Sequence, residues 1–459
     1  MPATFLHPLV AVGVLTAIVF IFVLPRKKAI APFLFAVLMI PWGQVLVIGG
    51  MHFTMMRILI LAGLARAAWS KASSSENWFP AGFSGIDQAM VPWLAFSFIV
   101  VTLQWMNPGM LIASLGNLVD ALGGYLVLRF FMPDGEAIRL TVKVLAVICA
   151  IHGICMINEQ ITHVNVFDFL GGVPIPVATT IREGQLRSSG VMGPLGEGVF
   201  AGVLIPLIVW LWTEEKCRIA AFAGLAGAAA ILITSHASSP WMACAAALFG
   251  LSCWPLRKQM RLVRWGIVGT LIAGQIYMTS PVWHLIDDVN VTGDSSSYHR
   301  YMLVNNTIIH FSEWWLLGYK YPNTWGWDMW DTSNLFVATA LTGGLISLVF
   351  LILAFKRSFG AIGTARKHVD GDRKQEWFLW CLGSALFSVL ASSFGIAFLY
   401  QSQLEIYLVL GCISVATFEA MRVAEPQKQE EPALAFVPIA AGMRSKVLQA
   451  SRQLIHHDS

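Results

Sequence analysis

Residues 335–355 read LFVATALTGGLISLVFLILAF, a stretch with no charged side chain. At 1.5 Å per residue, a helix of this length covers about 30 Å, the thickness of a bilayer's hydrocarbon core. Comparable runs recur at 9–24, 30–50, 53–69, 89–105, 110–131, 142–158, 191–212, 217–234, 237–254, 263–280, 377–399 and 403–419. They are continuous rather than ten-residue alternating segments, which points to helices and away from a transmembrane barrel. Composition agrees, with 56% of the 459 residues hydrophobic and only 12% charged, about half the charged share of a soluble domain. The expected fold is an all-α polytopic transmembrane bundle of about 12–13 spans. It occupies 1–424, with a cytoplasmic tail over 425–459. The run 9–24 precedes Arg26, Lys27 and Lys28, the reverse of a signal peptide's charge order, and reads as an uncleaved anchor.

The basic residues orient the bundle. If the Arg26–Lys28 connection is cytoplasmic and each span changes side, only Arg57, Arg182, Arg187, Arg300 and Lys320 of the 30 basic residues fall outside. Two outer connections, 159–190 and 281–334, are too long for turns. The second is rich in Trp and Tyr, unlike a disordered segment, and is expected to be a large, partly structured periplasmic loop. A net charge of +4 from 30 basic and 26 acidic residues offers no field for nucleic acid. Seven cysteines, most within apolar runs, form no disulfide framework. Neither a metal-ligand spacing nor a glycine-rich phosphate loop is present. Asp370-Gly371-Asp372 lies among basic residues and reads as solvated.

Arg187, in Leu186-Arg187-Ser188-Ser189-Gly190, and Arg300, in Ser297-Tyr298-His299-Arg300-Tyr301, are isolated on a face otherwise nearly free of basic residues. A guanidinium suits bidentate contact with phosphate or carboxylate. Lipid phosphates or the loop acids Asp287, Asp288 and Asp294 would also take such a group. His299, His310, Glu313, Asp328 and Asp331 supply possible bases nearby. Glu197 would either pair with Arg187 or face a ligand. The Trp and Tyr cluster over 314–330 suits a membrane interface first, and the apolar faces of sugar rings as the other reading. Within the bundle, Asp120 and His152 are expected to form a hydrogen-bonded pair, with a proton path as the other reading.

Several of these segments occur in a characteristic order. The Arg187 segment, with Pro194, comes before a span, and Thr234-Ser235-His236 closes a later one. The outer loop with Arg300, the turn Leu317-Gly318-Tyr319, and Asn334 opening a helix with Gly343 and Gly344 then follow. This order resembles the O-antigen ligase and O-antigen polymerase superfamily. The resemblance implies a bacterial inner-membrane glycosyltransferase of polysaccharide biosynthesis. It would take glycan from undecaprenyl diphosphate and pass it to a glycan or lipid acceptor, among membrane lipids and without metal or cofactor. It also implies that Arg187 and Arg300 hold the diphosphate. The catalytic set is then Arg187, Arg300, Asp331 and Asn334, with His236, Glu197, His299, Trp325 and Trp327 touching substrate. Two positions depart from the pattern: Ser333 stands where ligases carry histidine, and His236 where an arginine is frequent. The competing reading is a non-enzymatic transporter or flippase of a lipid-linked glycan.

Overall fold

A computed structural model describes residues 4–74, 77–173, 181–182, 184–278, 280–285, 296–326 and 328–429. Its helices are α1 (Pro8–Val23), α2 (Ile30–Met39), α3 (Met55–Ser74), α4 (Asp87–Trp105), α5 (Pro108–Leu118), α6 (Gly124–Phe131), α7 (Gly135–Thr162) and α8 (Gly193–Trp212). They continue as α9 (Arg218–Ser235), α10 (Ser238–Ser252), α11 (Met260–Tyr277), α12 (Ser296–Ile309), α13 (Leu335–His368), α14 (Arg373–Ser392) and α15 (Gln403–Gln429). Among the described residues, seven helical segments are long and apolar enough to cross a membrane: Asp87–Trp105, Pro108–Phe131, Gly135–Thr162, Gly193–Trp212, Glu215–Ser235, Leu335–His368 and Tyr400–Arg422. α1 and α2 are shorter apolar helices. This is a multi-pass helical membrane protein. The chain divides into Met1–Ala420, which holds the bundle, and a unit that starts at Met421.

α8 is apolar on every side and buried along nearly its whole length, as expected of a central helix. It packs on α9, α10 and α14, while α7 pairs with α9 and α4 lies along α13. Small residues allow the closest approach. A Cβ on Gly153 of α7 would meet the backbone of Gly227 on α9 at 2.6 Å, the small-residue packing favoured where lipid removes the hydrophobic drive between helices.

Two apolar runs do not become the helices expected of them. The 30–50 run stops at Met39. Pro41 cannot continue the helix, and Val45–Ile48 and Met51–Thr54 pair instead as an antiparallel hairpin turning through Gly49 and Gly50. The 377–399 run leaves the helix at Ser392, where the Ser393 carbonyl accepts the Leu335 N–H (2.8 Å). The following segment has Phe398 and Tyr400 at φ 53° and 55°. Asp372, from the acidic motif, caps α14 by accepting from the N–H groups of Lys374 and Gln375.

Backbone hydrogen bonds tie the segment Trp315–Tyr319 to α13. Gly344 sits at φ 65° inside the helix, which opens the bond that Leu345 N–H would make to the Leu341 carbonyl. Leu345 N–H donates instead to Trp315 O (2.8 Å), and Leu341 O accepts from Tyr319 N–H (2.9 Å) and Gln104 Nε2 (3.0 Å). At the opposite end, Arg26 donates to the carbonyls of Phe130, Asn77 and Trp78, and Lys27 pairs with Asp134 and Glu136. There too Arg357 donates to Gly85 O. The basic connections are thus joined to one another, away from the loops that carry Arg187 and Arg300.

Candidate functional site

The strand ending at Leu186 leads into Arg187, and the turn that follows is held by two buried carboxylates. Glu159, near the end of α7, accepts the N–H groups of Ser189 (2.8 Å) and Gly190 (3.1 Å). Glu197, in the first turns of α8, accepts those of Val191 (2.8 Å) and Met192 (3.0 Å). Four successive amides that would otherwise be orphaned away from water are thereby satisfied. The other oxygen of Glu197 lies 2.8 Å from His152 Nδ1. Ser188 N–H donates to Thr234 O, and its hydroxyl to Met156 O. Arg187 is therefore presented from a loop whose backbone is fixed on both sides.

The link between α9 and α10 connects the two arginines. His236 caps α9 in the left-handed region (φ 41°), which turns the chain sharply between Ser235 and Ser238. Arg187 Nε donates to Ser235 O at 3.4 Å. Arg300, on α12, donates to Ser238 Oγ (3.1 Å) and Ser239 Oγ (3.0 Å). Both guanidinium groups rest on the segment Ser235–Ser239, although they are far apart in sequence.

A cavity of about 660 Å³ is lined by Arg187, Pro194, Asp331, Ser333, Trp42 and Tyr400, among others. His299 Nε2 lies 3.0 Å from Asp331 O. Burial pushes the Asp331 carboxyl above the usual aspartate range, while the charges of His299 and Arg300 act in the opposite direction. Burial and then the charge of Arg187 hold the His236 imidazole below its ordinary value. His236 is thus poised to be neutral beside Arg187, not to act as a third cation. Arg187 and Asp331 face this cavity, and Arg300 lies close enough for its charge to act on Asp331; a cation and a carboxyl so placed can hold an anionic group and accept a proton.

Other expected residues are placed differently. Glu197 neither pairs with Arg187 nor faces the cavity, because Val191, Met192 and His152 use both its oxygens. Asp120 and His152 do not pair. Asp120 binds Arg57 (3.0 and 2.6 Å), and His152 binds Glu197. Asn334 is a buried cap whose Oδ1 accepts from Phe336 and Val337 N–H, so its carboxamide works for α13. Trp325 stacks with His310 and Tyr319 in its own loop and donates to Glu313. Trp327 lies outside the described residues. Reading the sequence missed Glu159, Trp42 and Tyr400. An acid near the end of an apolar run was a signal for Glu159. Nothing in the sequence announces the left-handed backbone of Tyr400. Compared with models of known protein families and with curated protein sequences, the chain matches none.

Proposed function

We propose that this protein is a bacterial inner-membrane glycosyltransferase that transfers or polymerises glycan from an undecaprenyl-diphosphate donor at its outer face. The reading rests on one observation: Arg187, which lines a cavity together with Asp331, and Arg300 are both held on Ser235–Ser239. The order of sequence motifs that resembles the O-antigen ligase and polymerase superfamily supports it. In the proposed reaction an acceptor hydroxyl oxygen bonds to the anomeric carbon as the bond from that carbon to the diphosphate oxygen breaks. The leaving diphosphate carries the electron pair into the field of the two guanidinium groups, which contributes most to the barrier lowering. Asp331 takes the hydroxyl proton, commonly a ~10²–10⁴-fold effect. The Ser333 hydroxyl cannot serve as a base near neutrality and orients the acceptor.

Membranes supplied with lipid-linked donor test this. Arg300→Ala and Arg187→Ala should lose nearly all transfer, and Arg→Lys at either should remain impaired because the planar fork is gone. Ser333→Ala should keep most of it. Full transfer by both arginine-to-alanine variants would overturn the reading. The transporter alternative drew on Asp120 and His152, and each is engaged by another partner.

A further inference from the structure

A second cavity, of about 480 Å³, adjoins the first. The two share Trp42, Ala397, Leu399 and Tyr400, with the Trp42 and Tyr400 rings stacked at 4.0 Å between centroids. Asp120 faces this inner cavity from a π-helical turn, Val119–Gly123, inserted between α5 and α6. Such insertions frequently mark functional positions. The Asp120 carboxylate receives Arg57 Nε and Nη2, while Arg57 Nη1 donates to His52 O (2.7 Å). An ion pair within a membrane bundle is expensive to keep, and apolar packing commonly does as well for stability. Two further polar groups on the wall, Ser114 Oγ and Trp42 Nε1, are buried and have no hydrogen-bond partner among the described residues. Ser114 itself is 5% exposed. Unsatisfied buried groups of this kind call for a ligand or an ordered solvent molecule.

We propose that the inner cavity binds a saccharide. The Arg57–Asp120 pair carries no net charge, so it favours neither a phosphate nor a cation. Asp120 lines the cavity as an acceptor held in place by Arg57, which does not itself line it, and such an acceptor suits the O–H of a sugar hydroxyl. Ser114 and the Trp42 indole N–H supply further contacts, and the aromatic partition suits the apolar face of a sugar ring. The volume falls in the usual range for small-molecule sites, about 300–1,000 Å³. Its assignment as the acceptor side of the reaction rests on the transferase reading; its assignment as a saccharide site does not.

The test uses the full chain in phosphatidylethanolamine and phosphatidylglycerol nanodiscs. The probe is a short-alkyl disaccharide glycoside with a diazirine on its terminal sugar, and cross-linked peptides are mapped by mass spectrometry. Labelling is expected on 114–121 and 403–407, competed by excess unlabelled disaccharide and not by the matching alkyl alcohol. Ala338→Leu, which adds side-chain volume to the cavity wall from a good helix position, should cut that labelling about tenfold by occluding the site. Asp120→Asn should do the same, and monodisperse elution of Ala338→Leu controls for folding. Labelling confined to the outer cavity or the lipid face, or unchanged in folded Ala338→Leu, overturns the proposal. Arg187→Ala separates the two readings: its transfer activity tests the transferase, and its inner labelling should persist.

Discussion

Gly190 is where the Arg187 loop turns, and its φ of +52° is a conformation that side chains avoid. A Cβ there would also meet the Glu197 carboxylate at 2.6 Å. Gly190→Ala should therefore lower transfer at least tenfold with the helical circular dichroism intact, and wild-type activity would dissociate the turn from catalysis. Asp331 gives a pH signature. Its carboxyl, raised by burial, takes a proton at higher pH than a free aspartate, so the base form is lost sooner on acidification. The acid limb of the rate profile should lie above the ordinary carboxylate range and flatten in Asp331→Asn; an unchanged limb removes Asp331 from the role. Asn334→Ala should cost only about 1 kcal/mol of stability as a lost cap. At this scale the arginines were legible because each lies in a connection otherwise poor in basic residues. The partners of Glu197, Asp120 and His152 were not, because contacts between helices depend on rotation about each helix axis, which spacing along one chain does not define.

Helices were legible where a run of apolar residues was uninterrupted, as in α13, and illegible where a short run had two solutions. Val45–Ile48 is apolar enough for either a helix or a strand, and Pro41 with the glycine pair decides for the hairpin. The 393–402 segment is apolar yet irregular, because its first carbonyl is taken by the N-terminus of α13. Packing between elements can be tested at Gly227, where an added Cβ would meet the backbone of Cys149 and Ala150 on α7. Gly227→Leu should force α7 and α9 apart, at the upper end of the roughly 1–3 kcal/mol typical of overpacking. A thermal aggregation midpoint indistinguishable from wild type would contradict that packing.

At the level of the whole molecule, the charge distribution predicts an orientation that thiol labelling can test. Gln185→Cys and Asn323→Cys, both at exposed positions, should react with a membrane-impermeant thiol reagent in intact spheroplasts. Glu136→Cys and Asp370→Cys, exposed on connections assigned to the other side, should react only after permeabilisation. The native background is low, since six of the seven cysteines are buried. The opposite pattern would invert the bundle and move the arginine site to the cytoplasm. That Arg187 and Arg300 share a site was expected from the sequence resemblance, whereas the bend at His236, on which both rest, was not legible in the chain.

The opened bond in α13 also bears on the timing of assembly. A spanning helix ordinarily completes its ladder by itself, but here Leu341 and Leu345 depend on Trp315 and Tyr319. Those two residues leave the ribosome before the helix does, so the earlier segment must be waiting when the later one inserts. A nascent chain in which the Trp315–Tyr319 segment was delayed or misdirected would leave the Leu345 amide unsatisfied in the bundle and the Leu341 carbonyl with Gln104 alone. Such a chain would carry a defect that quality-control proteases can recognise before any substrate is met.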